Sequence, residues 1–165
     1  MNPCLSTNAL TTEGILYWSY GISNRSTIRG IDHYPETWGR IELRMDDLRV
    51  EAAMVQKAVN DELKFPHLRG IIEAKYGERT EAVEVCAVLL KKTARTQTHS
   101  AFCRVVLDFC EFRSYRDKEA MADFGMGRNA TREGRSRYLG ILEGWHRLAV
   151  EAVEEVFRER GWVER

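Results

Sequence analysis

The 165-residue sequence holds only three prolines, Pro3, Pro35 and Pro66, so its long interior stretches contain nothing that blocks a helix. Its four cysteines, Cys4, Cys86, Cys103 and Cys110, include no Cys-x-x-Cys pair, which excludes a disulfide-stapled scaffold. There is no run of about 18 apolar residues, and the start lacks the charged and apolar blocks of a signal peptide, so a cytoplasmic protein with no membrane partner is expected. Net charge is missing as well. The 25 Lys and Arg residues cancel the 25 Asp and Glu residues, and a nucleic-acid partner must therefore be held by local charge. P-loop, HExxH, GxSxG and paired-carboxylate patterns are all absent, and His33, His67, His99 and His146 have no local catalytic partner, so no enzyme is expected.

What is present is 44% hydrophobic residues, enough for a core in a chain of this length. Residues 1–45 are punctuated by Pro3, Gly14, Gly21, Gly30, Pro35 and Gly39 and carry Tyr17, Trp18, Tyr20, Tyr34 and Trp38. They are expected to form an irregular or partly helical aromatic arm. Residues 46–165 are expected to form one helical domain, making the fold class all-α. Leu48, Ala52, Val55, Val59 and Leu63 recur at helix spacing until Pro66, and a short helix over His67–Tyr76 is closed by Gly77. Thr80 caps a helix with Val83, Cys86, Ala87 and Leu90 inside, and Ser100 caps another with Phe102, Val105, Val106, Phe109 and Phe112 inside. The chain breaks at Arg113-Ser114-Tyr115. A short helix follows over Asp117–Phe124, with Ala120, Met121 and Phe124 inward, and Gly125 is placed for a turn. The last helix begins near Asn129 with a seam of Tyr138, Leu142, Trp145, Ala149, Ala152 and Val156. Gly140 and Gly144 mark the place for a kink, since each costs a helix about 1 kcal/mol relative to alanine.

Helix, turn, short helix, glycine turn and long helix over about 100–145 is the order of a helix-turn-helix. The charge lies there too. Arg113 to Arg137 holds seven basic and four acidic residues, whereas Tyr138 to Arg165 holds four basic and six acidic. Arg128, Asn129, Arg132 and Ser136 on the first turns of the last helix are the candidates to reach base edges. Arg116, Lys118 and Arg137 suit phosphate contacts, which set register and salt dependence. A helix that contacts only protein, or a solvated arginine face, produces the same charge pattern.

Arg104 to Trp145, RVVLDFCEFRSYRDKEAMADFGMGRNATREGRSRYLGILEGW, resembles the region-4 helix-turn-helix of sigma factors and small phage regulators. Thr131 and Arg135 depart from that pattern, standing where it places apolar core residues. Upstream, LYWSYGISNRSTIRGIDHYP, then AVNDEL, then IIEAKYG resemble the front half of the phage antitermination protein Q family. The resemblance implies a phage late-gene antiterminator that binds double-stranded DNA near a late promoter and makes bacterial RNA polymerase, with sigma factor at the promoter, read through terminators. It also implies DNA contact by Arg116, Lys118, Arg128, Asn129, Arg132 and Arg137, with the C-terminal helix and the arm offered to polymerase or to a second copy. A conventional helix-turn-helix activator or repressor is the alternative.

Two further clusters carry side chains capable of chemistry. Glu73, Glu78, Glu81 and Glu84 are flanked by Lys75, Arg79, Lys91 and Lys92 and are expected to be a solvated helix surface. His99, Cys103 and Cys110 stand at spacings of four and seven, but without two short ligand pairs no metal and no cofactor is expected.

Overall fold

The computed structural model describes residues 11–24, 45–93, 97–110 and 117–163. The described residues are all-helical: α1 (Thr12–Asn24), α2 (Met45–Glu62), α3 (Pro66–Gly77), α4 (Thr80–Thr93), α5 (His99–Phe109), α6 (Asp117–Phe124) and α7 (Arg128–Glu159). Among them no helix is long and apolar enough to cross a membrane. They form two compact units, one of residues up to Lys64 with those from Val150 onward, the other of Phe65–Ala149.

In the first unit, part of the stretch expected to be irregular or partly helical is the helix α1. Thr11 caps α1, its side-chain oxygen accepting from the Gly14 N–H at 3.1 Å and its carbonyl from the Ile15 N–H at 3.0 Å. Ile15, Leu16 and Tyr20 are buried, and that burial outweighs the helix cost of Gly14 and Gly21. Residues 1–10 and 25–44, the rest of the expected arm, lie outside the described residues. Helix α2 packs on α1 and buries Ala52, Val55 and Val59, and Leu63 just past its end is buried as well, four of the positions read from sequence. Gln56 Nε2 donates to the Ser19 carbonyl at 2.9 Å. The C-terminal end of α7 closes in a Schellman motif: Trp162 N–H donates to the Phe157 carbonyl at 2.8 Å and Gly161 N–H to Arg158 at 3.0 Å. Gly161 takes the left-handed conformation at φ 71°, and the Trp162 ring stacks at 5.3 Å on Phe157, the apolar contact that accompanies this cap.

In the second unit, α3 packs on α4, α4 on α5 and α5 on α6. Pro66 does not merely stop α2; it opens α3, where its missing N–H is not needed. The residue past the end of α3 is Glu78, not glycine, in the left-handed region at φ 49°. Thr98, not Ser100, caps α5, its side chain accepting from the Ala101 N–H at 3.3 Å. Expected core residues Val83, Cys86, Ala87, Leu90, Phe102, Val105 and Val106 are buried, as are Ile71 and Ile72 of α3, while Phe109 is half-buried. Phe112 and the Arg113-Ser114-Tyr115 break lie outside the described residues.

Helix α7 runs unbroken through Gly140 and Gly144, and a Cβ at either position would meet nothing within 4 Å. Its buried line is Tyr138, Leu142, Ala149, Val153 and Phe157, not the expected 152 and 156 positions. At 3.6 residues per turn Val156 shares the face of Tyr138 and Phe157 stands about 100° from it, so drift of the repeat does not explain the change. Residues from Val150 onward belong to the first unit, where Val153 and Phe157 are buried. Trp145 is half-buried, its ring 5.2 Å from His67.

Candidate nucleic-acid interface

Helix α6 is only eight residues long, and three residues, Gly125-Met126-Gly127, separate it from α7. Gly125 takes φ 61°, the left-handed conformation that lets so short a link reverse the chain. Its N–H donates to the Met121 carbonyl at 2.9 Å, closing α6. Of the small residues in α6, Ala120 is buried and Ala122 exposed, and Met121 and Met126 are half-buried.

Helix α5 holds both sides of this corner. Arg104 reaches α6, pairing with Asp123 at 2.5 Å and Glu119 at 3.2 Å. Thr98 Oγ1, beyond capping α5, donates to the Asp123 carbonyl at 2.8 Å. An aromatic stack joins the three helices. The Tyr138 ring lies 5.1 Å from Phe102, edge to face, and 6.3 Å from Phe124. Its hydroxyl donates to Gln97 Oε1 at 2.5 Å, and burial raises the phenol above its ordinary value against the pull of the Arg137 cation.

The two residues that depart from an apolar core pattern are each paired. Thr131 is buried, and its hydroxyl donates to the Met126 carbonyl at 3.3 Å, tightening the entry to α7. Arg135 is one quarter exposed and points back to Asp108 on α5, with Nε 2.8 Å from Oδ2 and Nη2 bonded to the same oxygen. Neither residue is on the exposed face.

That face carries the basic residues. Arg128, Asn129, Arg132, Ser136 and Arg137 are all exposed on the first turns of α7, and Lys118 is exposed on the first turn of α6. At about 100° per residue, Arg128, Arg132 and Ser136 form one stripe, with Asn129 beside it and Arg137 about 100° beyond Ser136. Arg116 lies outside the described residues. Arg104 of α5 engages Glu119 and Asp123 of α6, and Asp108 of α5 takes up Arg135 of α7. Glu133 is the exposed acid on the first turns of α7. Arg104 and Asp108, which sort the charge in this way, meet partners 15 to 27 residues away and carry no local sequence signal.

Burial pushes the Cys86 and Cys110 thiols up to about 12. Comparison with protein-family models, with curated proteins and with solved structures finds no match for this chain.

Proposed function

We propose that this chain is a DNA-binding transcription regulator that uses α6, the glycine turn and α7 as a helix-turn-helix. The observation that carries the reading is the exposed stripe Arg128, Arg132 and Ser136, with Asn129 beside it, on the opening turns of a helix entered from a three-residue turn. Guanidinium groups placed there reach guanine edges or phosphates, and the N–H groups of a helix N-terminus favour an anion. Lys118 and Arg137 are exposed outside the stripe and are assigned to backbone phosphates, and Arg116 is assigned with them from sequence. No bond is made or broken in this function, so neither an enzyme mechanism nor a cofactor belongs to it.

The order of sequence motifs along the chain supports the narrower reading of a phage late-gene antiterminator, which binds near a late promoter and then stays with elongating RNA polymerase. Leu148, half exposed on α7, with half-buried Ile141 and Trp145 is the face this reading offers to polymerase or to a second copy. Selection from a random double-stranded DNA pool, at two salt concentrations, tests the first step. One enriched sequence, weakened by salt, is expected. A template carrying that sequence upstream of a terminator tests the second. Read-through that persists after the chain is washed from the promoter supports antitermination, whereas an effect confined to initiation identifies a conventional activator or repressor. No enrichment at either salt overturns the DNA reading.

A further inference from the structure

Away from the basic face, three ligand-type side chains meet where α4 packs on α5. His99 Nε2 lies 2.6 Å from Glu84 Oε1 and 3.4 Å from Cys103 Sγ, and Cys103 Sγ lies 3.5 Å from Glu84 Oε2. One donor atom from each residue falls within 4.8 Å of the others. We propose that Glu84, His99 and Cys103 form a Zn2+ site, with three protein ligands and a fourth position open to water or to an added ligand.

The geometry is close to what the ion requires. Bonds of about 2.0–2.1 Å to nitrogen, 2.0–2.2 Å to oxygen and 2.3 Å to sulfur, set tetrahedrally, put neighbouring donors roughly 3.3–3.6 Å apart. The edges from Cys103 Sγ to His99 Nε2 and to Glu84 Oε2 already have that length. The His99 hydrogen bond is to the other carboxylate oxygen, Oε1, so the Glu84 carboxylate must turn to present one oxygen to the ion, opening that contact by under about 1 Å. The Glu84 side chain, 58% exposed on the middle of α4, has room to move that far. His99 and Cys103 need no rearrangement to share the ion, because residues four apart occupy one face on successive turns of α5.

The donor set also selects the metal. Imidazole with thiolate suits zinc and disfavours magnesium and calcium, which take oxygen ligands. One thiolate and one carboxylate neutralise a divalent cation, so the bound ion adds no net charge beside the positive end of α5 where His99 sits. Binding displaces the Cys103 proton, as metal thiolates require. A bound ion ties α4 to the first turns of α5, beside the Thr98 hydroxyl that holds the Asp123 carbonyl of α6. The site is independent of the DNA reading.

The test is a Co2+ titration of the full chain carrying Cys4→Ser, so that Cys103 is the thiol not buried among the described residues. Thiolate-to-cobalt charge transfer with tetrahedral ligand-field bands, saturating at one equivalent and erased by Zn2+, is the expected result. Cys103→Ser removes the charge-transfer band, and Glu84→Gln or His99→Gln weakens binding at least about tenfold. Circular dichroism establishes that each variant is folded, and if Cys103→Ser is not, the half-exposed His99→Gln decides by the same loss. Absence of bands in excess Co2+, or an unchanged titration in His99→Gln, overturns the site.

Discussion

Replacing Asp108 by alanine tests whether Arg135 belongs to the fold or to the ligand face. In the native chain both Arg135 nitrogens, Nε and Nη2, donate to one Asp108 oxygen, with the two side chains 25% and 17% exposed. Exposed ion pairs contribute about 0–1 kcal/mol, and breaking a fully buried pair costs about 3–5 kcal/mol because the remaining charge is left in a poor solvent. A pair with this partial exposure falls between them, so Asp108→Ala should cost about 2–3 kcal/mol. For a chain of this size each kcal/mol moves Tm by roughly 2–4 °C, giving a fall of about 4–12 °C. Thermal unfolding followed by circular dichroism measures it. Arg135→Met alone should also destabilise, by leaving the carboxylate unpaired, while Asp108→Leu with Arg135→Met should lie closer to wild type than either single variant. The coupling between the two positions should exceed about 1 kcal/mol. A double variant whose losses simply add, within about 0.5 kcal/mol, refutes the pairing, as does loss of DNA binding in a fully folded Arg135→Met.

Two other perturbations follow from the backbone. Gly140→Ala and Gly144→Ala should each stabilise α7 by about 0.5–1 kcal/mol, since a Cβ at either meets nothing within 4 Å; a lower Tm in both would show that the helix bends there. Glu78→Gly should stabilise by up to about 1 kcal/mol, because Glu78 holds a left-handed φ of 49° that glycine adopts without a Cβ clash; urea midpoints measure it, and a lower midpoint would mean the Glu78 side chain matters more than its backbone.

The apolar periodicity of α2, α4 and α5 was legible because Ala52, Val55 and Val59, then Val83, Ala87 and Leu90, then Phe102, Val105 and Val106 recur three or four residues apart within their helices, and burial follows that spacing. The glycine turn was legible too, since Gly125 sits between two periodic runs and takes the expected left-handed angle. Caps were read less well. Ser100 and Thr98 are both good N-caps, and Thr98 is chosen because its hydroxyl also reaches the Asp123 carbonyl, a contact 25 residues away. Gly77 looked like a helix end, yet it is buried as the last residue of α3, and the left-handed step falls on Glu78. Pairs distant in sequence were invisible: Asp108 and Arg135 are 27 residues apart, and Glu84 and His99 are 15. Spacing rules brought His99 and Cys103 together with Cys110, but packing of α4 on α5 supplies Glu84 in its place.

The most direct test of the central claim is the salt dependence of DNA affinity for wild type and for Arg128→Ala with Arg132→Ala, measured by fluorescence anisotropy on the selected sequence. Each phosphate contact contributes about 0.9 to the slope of log K against log salt, and an arginine reading a base edge contributes affinity but little slope. The account predicts that the double variant keeps its helical content and Tm, loses specific binding, and shows a slope lower by up to about 2. A double variant that binds the same sequence with unchanged affinity and slope would contradict it.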